Sequence, residues 1–328
     1  MNFIFLYFRN GPDEIYFKDL IHSQRVINYP IFTLYKNSVI NFIRRVHTSV
    51  KVAQYISLPL QKFWYMDLME MLCEDTCLVF TTMALQKVDL KVLKSLKDSP
   101  KHPKMVLLIL DSLSAHSRHI PYIKRRIFKF NWDLILSFDN FDCNKYGFTY
   151  LGEAYYSMNK DVRPSRNKSD IYYIGDNKGK REQIIKRVNE KLSSQGVRCN
   201  FNIVDSSIKD DFIENGIKYY KNNIPYEKVL SDTLASNCIL EVVQEGQKTK
   251  TGRYYESVCY NKKLLTNNPT FQDVEFYNDQ YMRFFNEPED IDIDWVTRLE
   301  AIDYHYNNEF SPIHIIEKIN SILEKIAL

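Results

Sequence analysis

Short runs of consecutive apolar residues alternate along this chain with longer stretches in which apolar positions recur every third or fourth residue. The first pattern marks strands buried on both faces, and the second marks amphipathic helices packed against them. In the first half, 3–8, 78–82, 105–110 and 134–138 predict strands, with a weaker one at 148–151, while 38–57, 89–97 and 119–130 predict helices. In the second half, strands at 171–174, 199–204, 238–243 and 263–266 alternate with helices at 181–195, 226–235 and 251–260. Such alternation predicts an α/β fold with a mainly parallel sheet in each half. Segment 13–30, rich in aromatic residues, fits either a hairpin or an irregular packed stretch. The polar, Pro-containing run 159–169 separates the halves. An N-terminal domain is therefore expected at 1–159, a linker at 160–169, a second domain at 170–310 and a C-terminal helix at 311–328. That helix carries Ile315, Ile316, Ile319, Ile322, Leu323 and Ile326 on its apolar side. The acidic run 287–294 before it has the composition of an extended connector.

Composition narrows the function classes. The 328 residues suffice for two domains with ordinary cores. With 44 Lys plus Arg against 41 Asp plus Glu, no bulk attraction to nucleic acid is expected. The six cysteines are scattered among the predicted elements, as reduced thiols in a cytosol would be. Cys73 and Cys77 have the spacing of one helical turn, but no second Cys or His pair accompanies them, so core packing is the better reading than a metal pair. The opening apolar run 3–8 has no basic leader and stops at Arg9-Asn10-Gly11-Pro12, which suits a buried first strand better than a secretory signal. No stretch approaches the roughly 20 apolar residues that cross a bilayer.

The segment 238–268 carries the chemistry. Its strand ends at Glu245-Gly246-Gln247, a turn able to bring backbone N–H groups against an anion, and a helix is expected to start near Thr251. The free N–H groups and positive dipole end of that helix would face the same loop. Arg253 offers a forked cation for phosphate oxygens, and Glu256, three residues on, can accept two hydroxyl hydrogen bonds. An offset of roughly 4.5 Å along the axis suits a diphosphate beside a ribose diol. The plainer alternative is a surface ion pair, contributing roughly 0.2–0.5 kcal/mol to its helix. A second glycine turn, Gly175 to Gly179, leads through Lys180 and Arg181 into a helix.

This pattern resembles the donor site of GT-B glycosyltransferases, and most of all a branch that builds bacterial capsule and lipopolysaccharide. Gly246, Gln247, Thr251, Arg253, Glu256, Lys262, Lys263, Leu264, Thr266 and Asn268 match its signature, with Gly252 and Leu265 as departures, and Tyr277-Asn278 fits the segment that follows. The resemblance implies two Rossmann-like domains facing across a cleft, with a nucleotide-sugar donor on the second and a glycan acceptor on the first. It implies hexosyl transfer in surface-polysaccharide or glycoprotein assembly, with no cofactor beyond the donor substrate. Gly175, Lys180 and Arg181 would approach the diphosphate opposite Gly246 and Arg253, and Ile224-Pro225 would lie against the base. Because Arg253 and the helix end supply positive charge, metal independence is expected.

For the proton accepted from the acceptor hydroxyl, Asp111-Ser112 follows the strong strand 105–110, where the branch has an aspartate-serine pair. Asp111 is equally suited to cap the next helix. His116 and His119 follow in the same loop, and Asp139 and Asp142 have the look of loop-shaping Asx residues. Asp292-Ile293-Asp294 has the spelling of a metal-binding acidic triplet, but its acidic surroundings favour a solvated connector. The resemblance also allows lipid-linked acceptors and peripheral contact at the inner membrane face. Arg44, Arg45, His47 and Lys51, with Lys124-Arg125-Arg126, would then supply basic contacts. The plainer reading of 38–57 is a helix with a solvated basic side and an apolar side in the core. Two other function classes remain: a catalytically silent GT-B subunit binding a partner transferase or glycan, and a nucleotide-sugar epimerase. The chain can also form a homo-oligomer.

Overall fold

The computed structural model describes residues 1–327 except 10–11, 32–36, 54–57, 111, 114–119, 154–155 and 245–249. The chain forms two compact units, one of residues 1–157 with 309–328, the other of residues 158–308.

The first unit holds a sheet of β1 (Asn2–Tyr7), β2 (Ile27–Pro30), β3 (Thr76–Thr81), β4 (Lys104–Ile109), β5 (Leu134–Ser137) and β6 (Thr149–Tyr150). Their spatial order is β2-β1-β3-β4-β5-β6, all parallel. Every residue of β3 is buried, which is why its sequence is a continuous apolar run rather than an alternation. Successive residues serve opposite layers. Leu78, Phe80 and Leu107 pack on the helices Thr82–Lys87, Leu90–Lys97 and Ile120–Lys129. Val79, Val106 and Leu108 pack with Phe17, Leu20 and the C-terminal helix Ile313–Ala327, through its Ile315, Ile316, Ile319 and Leu323. The last helix therefore covers a face of the first sheet, some 300 residues away in sequence from β1. The undecided segment 13–30 is two short helices, Pro12–Tyr16 and Lys18–Ile21, followed by edge strand β2.

One amphipathic helix is turned the other way from expectation. In Ser38–His47 the apolar residues Val39, Phe42 and Ile43 are exposed, and Arg44 is the buried side chain. The second basic patch also dissolves, since Arg126 is buried with its Nη1 donating to the Tyr122 hydroxyl at 2.9 Å. Cys77 lies in β3 and faces the core, while Cys73 is exposed on the preceding turn, so the two do not share a helix. All six cysteines are free.

The second unit holds β7 (Ser169–Asp176), β8 (Cys199–Val204), β9 (Phe212–Glu214), β10 (Ile217–Tyr220), β11 (Ser236–Glu241), β12 (Lys263–Thr266) and β13 (Met282–Phe284). The order is β13-β12-β11-β7-β8-β10-β9, parallel except for the β9–β10 pair. That hairpin turns at Asn215-Gly216 with φ of 49° and 82°, both in the left-handed region that Asn and Gly tolerate best. The acidic run 287–294 is not an extended connector. Glu287 and Asp290 cap the short turn Pro288–Asp290, and Asp292 caps the helix Ile293–Thr297 by accepting from the Trp295 N–H at 3.0 Å. Trp295 is buried, so this segment is part of the second core. Asp292 also pairs with Arg283 at 2.5 Å, a structural use of the acidic triplet.

Candidate donor site

Both sheets reverse their strand order at one place, β1/β3 in the first unit and β7/β11 in the second. In open α/β sheets ligands bind outside the carboxyl ends of strands at such a reversal. In the first unit Asp13 marks it: buried, it accepts from the Phe8 N–H at 3.0 Å and the Thr81 hydroxyl at 2.5 Å, joining the ends of β1 and β3. Segment 13–30 had no predicted element to place it there. Asp111, His116 and His119 lie outside the described residues. Asp142 accepts from the Leu113 N–H at 2.6 Å, and Asp139 caps the helix Asn140–Tyr146. Both shape the loops at this end of the sheet, as their residue type suggests.

In the second unit the reversal brings the end of β7 beside the end of β11. Gly175, near the end of β7, has no room for a side chain: a Cβ there would stand 2.4 Å from the Tyr173 hydroxyl oxygen and 3.7 Å from Arg181 Nη1. Burial pushes the Tyr173 phenol up to about 12, against the opposing charges of Arg181 and Arg253. Tyr173 thus lies within the field of cations from both glycine-loop segments. Gly175→Ala is expected to destabilise the unit by about 1–3 kcal/mol in urea unfolding, because the buried Tyr173 ring must shift within its packing to admit the methyl group. Adding Tyr173→Phe should recover part of that loss, and no recovery would mean the glycine serves another purpose. Lys180 is exposed at the start of the helix Arg181–Ser194, and Arg181 Nη1 donates to the Asp176 carbonyl at 3.3 Å.

Gly246 and Gln247 lie outside the described residues, but the helix they lead to is described. Thr251 caps the helix Gly252–Cys259, its hydroxyl accepting from the Arg253 N–H at 3.1 Å. Arg253 Nη2 donates to Glu256 Oε1 at 2.7 Å, and Nη1 stands 2.6 Å from Oε2 as an ion contact. They are a pair with i,i+3 spacing, as the plainer alternative required, but not a surface one, because the Glu256 side chain is 0% exposed and that of Arg253 15%. The Tyr226 hydroxyl donates to Glu256 Oε1 at 3.0 Å. Tyr226 begins the helix Tyr226–Ala235 directly after Ile224, half-buried, and Pro225, exposed, so the predicted base-side turn adjoins Glu256 through this phenol. Burial pushes the Glu256 carboxyl up, with Arg253 and Tyr226 pulling it down.

Two residues of this cluster escaped sequence reasoning. Glu241, the last residue of β11, is buried and receives hydroxyls from Thr251 and, at 2.6 Å, Thr266. Each of those hydroxyl oxygens already accepts a backbone N–H, from Arg253 and Asn268, so each has its own proton available for Glu241. The carboxyl thereby ties the ends of β11 and β12 to the first turn of the helix. It was hidden because it interrupts an otherwise apolar strand. Lys250 stands just before the cap, its ammonium 5.7 Å from the Tyr254 ring centre, and burial lowers its pKa to about 8.

Other residues of the matched signature form the frame. Lys262 Nζ donates to the carbonyls of Leu234 and Ser236 at 2.8 and 2.7 Å, at the end of the helix Tyr226–Ala235. Lys263 is fully buried and reaches the Trp295 and Arg298 carbonyls.

No family model matches the sequence, and no curated protein matches it. Among solved structures the chain is similar to a trehalose-6-phosphate synthase from work on glycosyl transfer with retention, at 9% identity and a TM-score of 0.54, covering 99% of each chain. It is also similar to a UDP-forming α,α-trehalose-phosphate synthase from Burkholderia xenovorans, at 9% identity and a TM-score of 0.50, covering 100% of each. At such identities the likeness shows the fold, which is GT-B.

Proposed function

We propose that the chain is a glycosyltransferase whose second unit holds a nucleotide-diphosphate sugar and passes the sugar to a glycan acceptor. The observation that carries this reading is the buried Arg253–Glu256 pair at the start of a capped helix, beside the β7/β11 strand-order reversal. As the bond to the sugar breaks, charge grows on the leaving diphosphate. Arg253, Arg181, Lys180, Lys250 and the positive dipole end of the helix are the charges that meet it, without a metal. Glu256 lies beneath Arg253, and its first task is to aim the guanidinium. When Arg253 turns to the diphosphate, the carboxylate it leaves is the acceptor for the ribose hydroxyls, with Tyr226 still donating to Oε1. Gly246 and Gln247 close the phosphate loop, Ile224 and Pro225 flank the base, and Asp111 or His116 accepts the acceptor proton. A bacterial surface-polysaccharide or glycoprotein setting rests on the signature match alone.

A thermal-shift series with nucleoside diphosphates and nucleotide sugars tests the donor. Ligand at 100 times its dissociation constant adds about 2.7 kcal/mol of stability, and a series in which nothing raises the melting temperature would end the proposal. Diphosphate binding should raise the Lys250 pKa above its value of about 8 in the free protein. Affinity is then constant below that pH and falls by up to about tenfold per pH unit as pH rises above it. Lys250→Met should flatten the profile. Donor binding without transfer or hydrolysis would instead favour a silent subunit.

A further inference from the structure

Between Asp19 and Asp67 the chain carries no Asp or Glu but six Lys or Arg: Arg25, Lys36, Arg44, Arg45, Lys51 and Lys62. Within this stretch the helix Ser38–His47 is inside out. Val39, Phe42 and Ile43 share one face by their spacing and are 62%, 68% and 43% exposed. Arg44 on the opposite side is 3% exposed and donates from Nη2 to the Ile31 carbonyl at 2.6 Å. The orientation is fixed rather than incidental. Trp64 Nε1 donates to His47 Nδ1 at 2.9 Å, Gln61 Nε2 to the His47 carbonyl at 2.6 Å, and the Arg44 guanidinium lies 5.8 Å from the Trp64 ring centre. These bonds fasten the turn Gln61–Tyr65 to the helix, and that turn and its flanks add exposed Leu60, Phe63 and Met66. Arg45 and Lys62 are exposed on the same two segments.

We infer that this face of the first unit docks on an anionic lipid surface. Large apolar side chains turned outward gain by entering the boundary between headgroups and acyl chains, while neighbouring Arg and Lys side chains stay with lipid phosphates. A second copy of the chain is a poor occupant, since a self-complementary interface would bring cations against cations with no nearby carboxylate on the helix. No described helix is long and apolar enough to cross a membrane, so the contact lies on the surface. The inference does not depend on the donor site.

Co-sedimentation of the full chain with vesicles tests it. Binding is expected to phosphatidylcholine mixed two to one with phosphatidylglycerol, weakening as salt is added, and not to phosphatidylcholine alone. Phe42→Asp with Ile43→Asp should abolish binding while leaving the melting temperature and any nucleotide-induced shift unchanged, because both side chains point outward. Arg45→Gln with Lys62→Gln should weaken it about fivefold per cation removed. Equal binding to neutral vesicles, binding retained by the double aspartate variant, or no vesicle binding would overturn the inference. So would a dimer of the wild-type chain that Phe42→Asp separates.

Discussion

Replacing Lys263 with methionine is expected to lower the stability of the second unit by about 3–5 kcal/mol, while the protein that remains folded binds donor as before. The Lys263 side chain is 0% exposed, and its ammonium meets the Trp295 carbonyl at 2.6 Å, the Arg298 carbonyl and Glu300 Oε1 at 3.0 Å. It also lies 5.3 Å from the Trp295 ring centre. Methionine fills similar space but donates nothing. Two carbonyls at the end of the helix Ile293–Thr297 then lose a charged donor, at about 1–3 kcal/mol for each that stays dry. Glu300 is partly exposed and recovers water, so it adds less. Urea unfolding measures the loss, and nucleotide titration of the folded variant measures the affinity. A variant of ordinary stability with lost affinity would move Lys263 from the frame to the ligand.

Arg253→Ala should fail in both respects. It strands a fully buried carboxylate with only the Tyr226 hydroxyl at 3.0 Å, and breaking a buried pair from one side costs about 3–5 kcal/mol. The pH dependence identifies the cause. Burial already pushes the Glu256 carboxyl above the usual range, and removing the guanidinium pushes it further. A carboxyl whose folded pKa is raised favours folding fully below its unfolded value, and that contribution is lost as pH rises through the folded one. The deficit of Arg253→Ala against wild type should therefore shrink on going from neutral pH toward pH ~5. Arg253→Met with Glu256→Gln should recover much of the stability, because no charge is left buried, yet should show no donor-induced shift. Recovery of the shift together with stability would remove Arg253 from the donor site. Alanine variants alone cannot separate binding from folding here, whereas this pairing can.

Much of the fold was legible because parallel strands buried on two faces must be continuously apolar. The runs at 3–8, 78–82, 105–110 and 134–138 correspond to β1, β3, β4 and β5, and 199–204 and 263–266 to β8 and β12. The short edge elements were not. β13 has one buried residue among its three and no residue of β9 is buried, so neither shows a hydrophobic run. Asn215-Gly216 was a usable signal for the β9–β10 hairpin. The helix Ile293–Thr297 was masked by acidic neighbours, which serve as its caps rather than as solvated charge. In the candidate site, Thr251, Arg253 and Glu256 could be gathered on one helix end from spacing alone. That Lys262 and Lys263 hold backbone carbonyls in place could not, since a polar residue looks the same in sequence whether it meets a ligand or a carbonyl.

By itself the order of residues determined local conformation: which buried runs are strands, where Thr251 starts its helix, and that Arg253 and Glu256 share a face. Those properties follow from interactions within a few residues along the chain. The tertiary structure alone decided which partner each face meets. It placed the C-terminal helix on the first sheet, sank the Arg253–Glu256 pair out of water, joined Glu241 to two threonines from separate segments, and turned the apolar side of Ser38–His47 outward. Burial and charge pairing between distant segments depend on packing in three dimensions, and a periodicity names a face without naming what covers it.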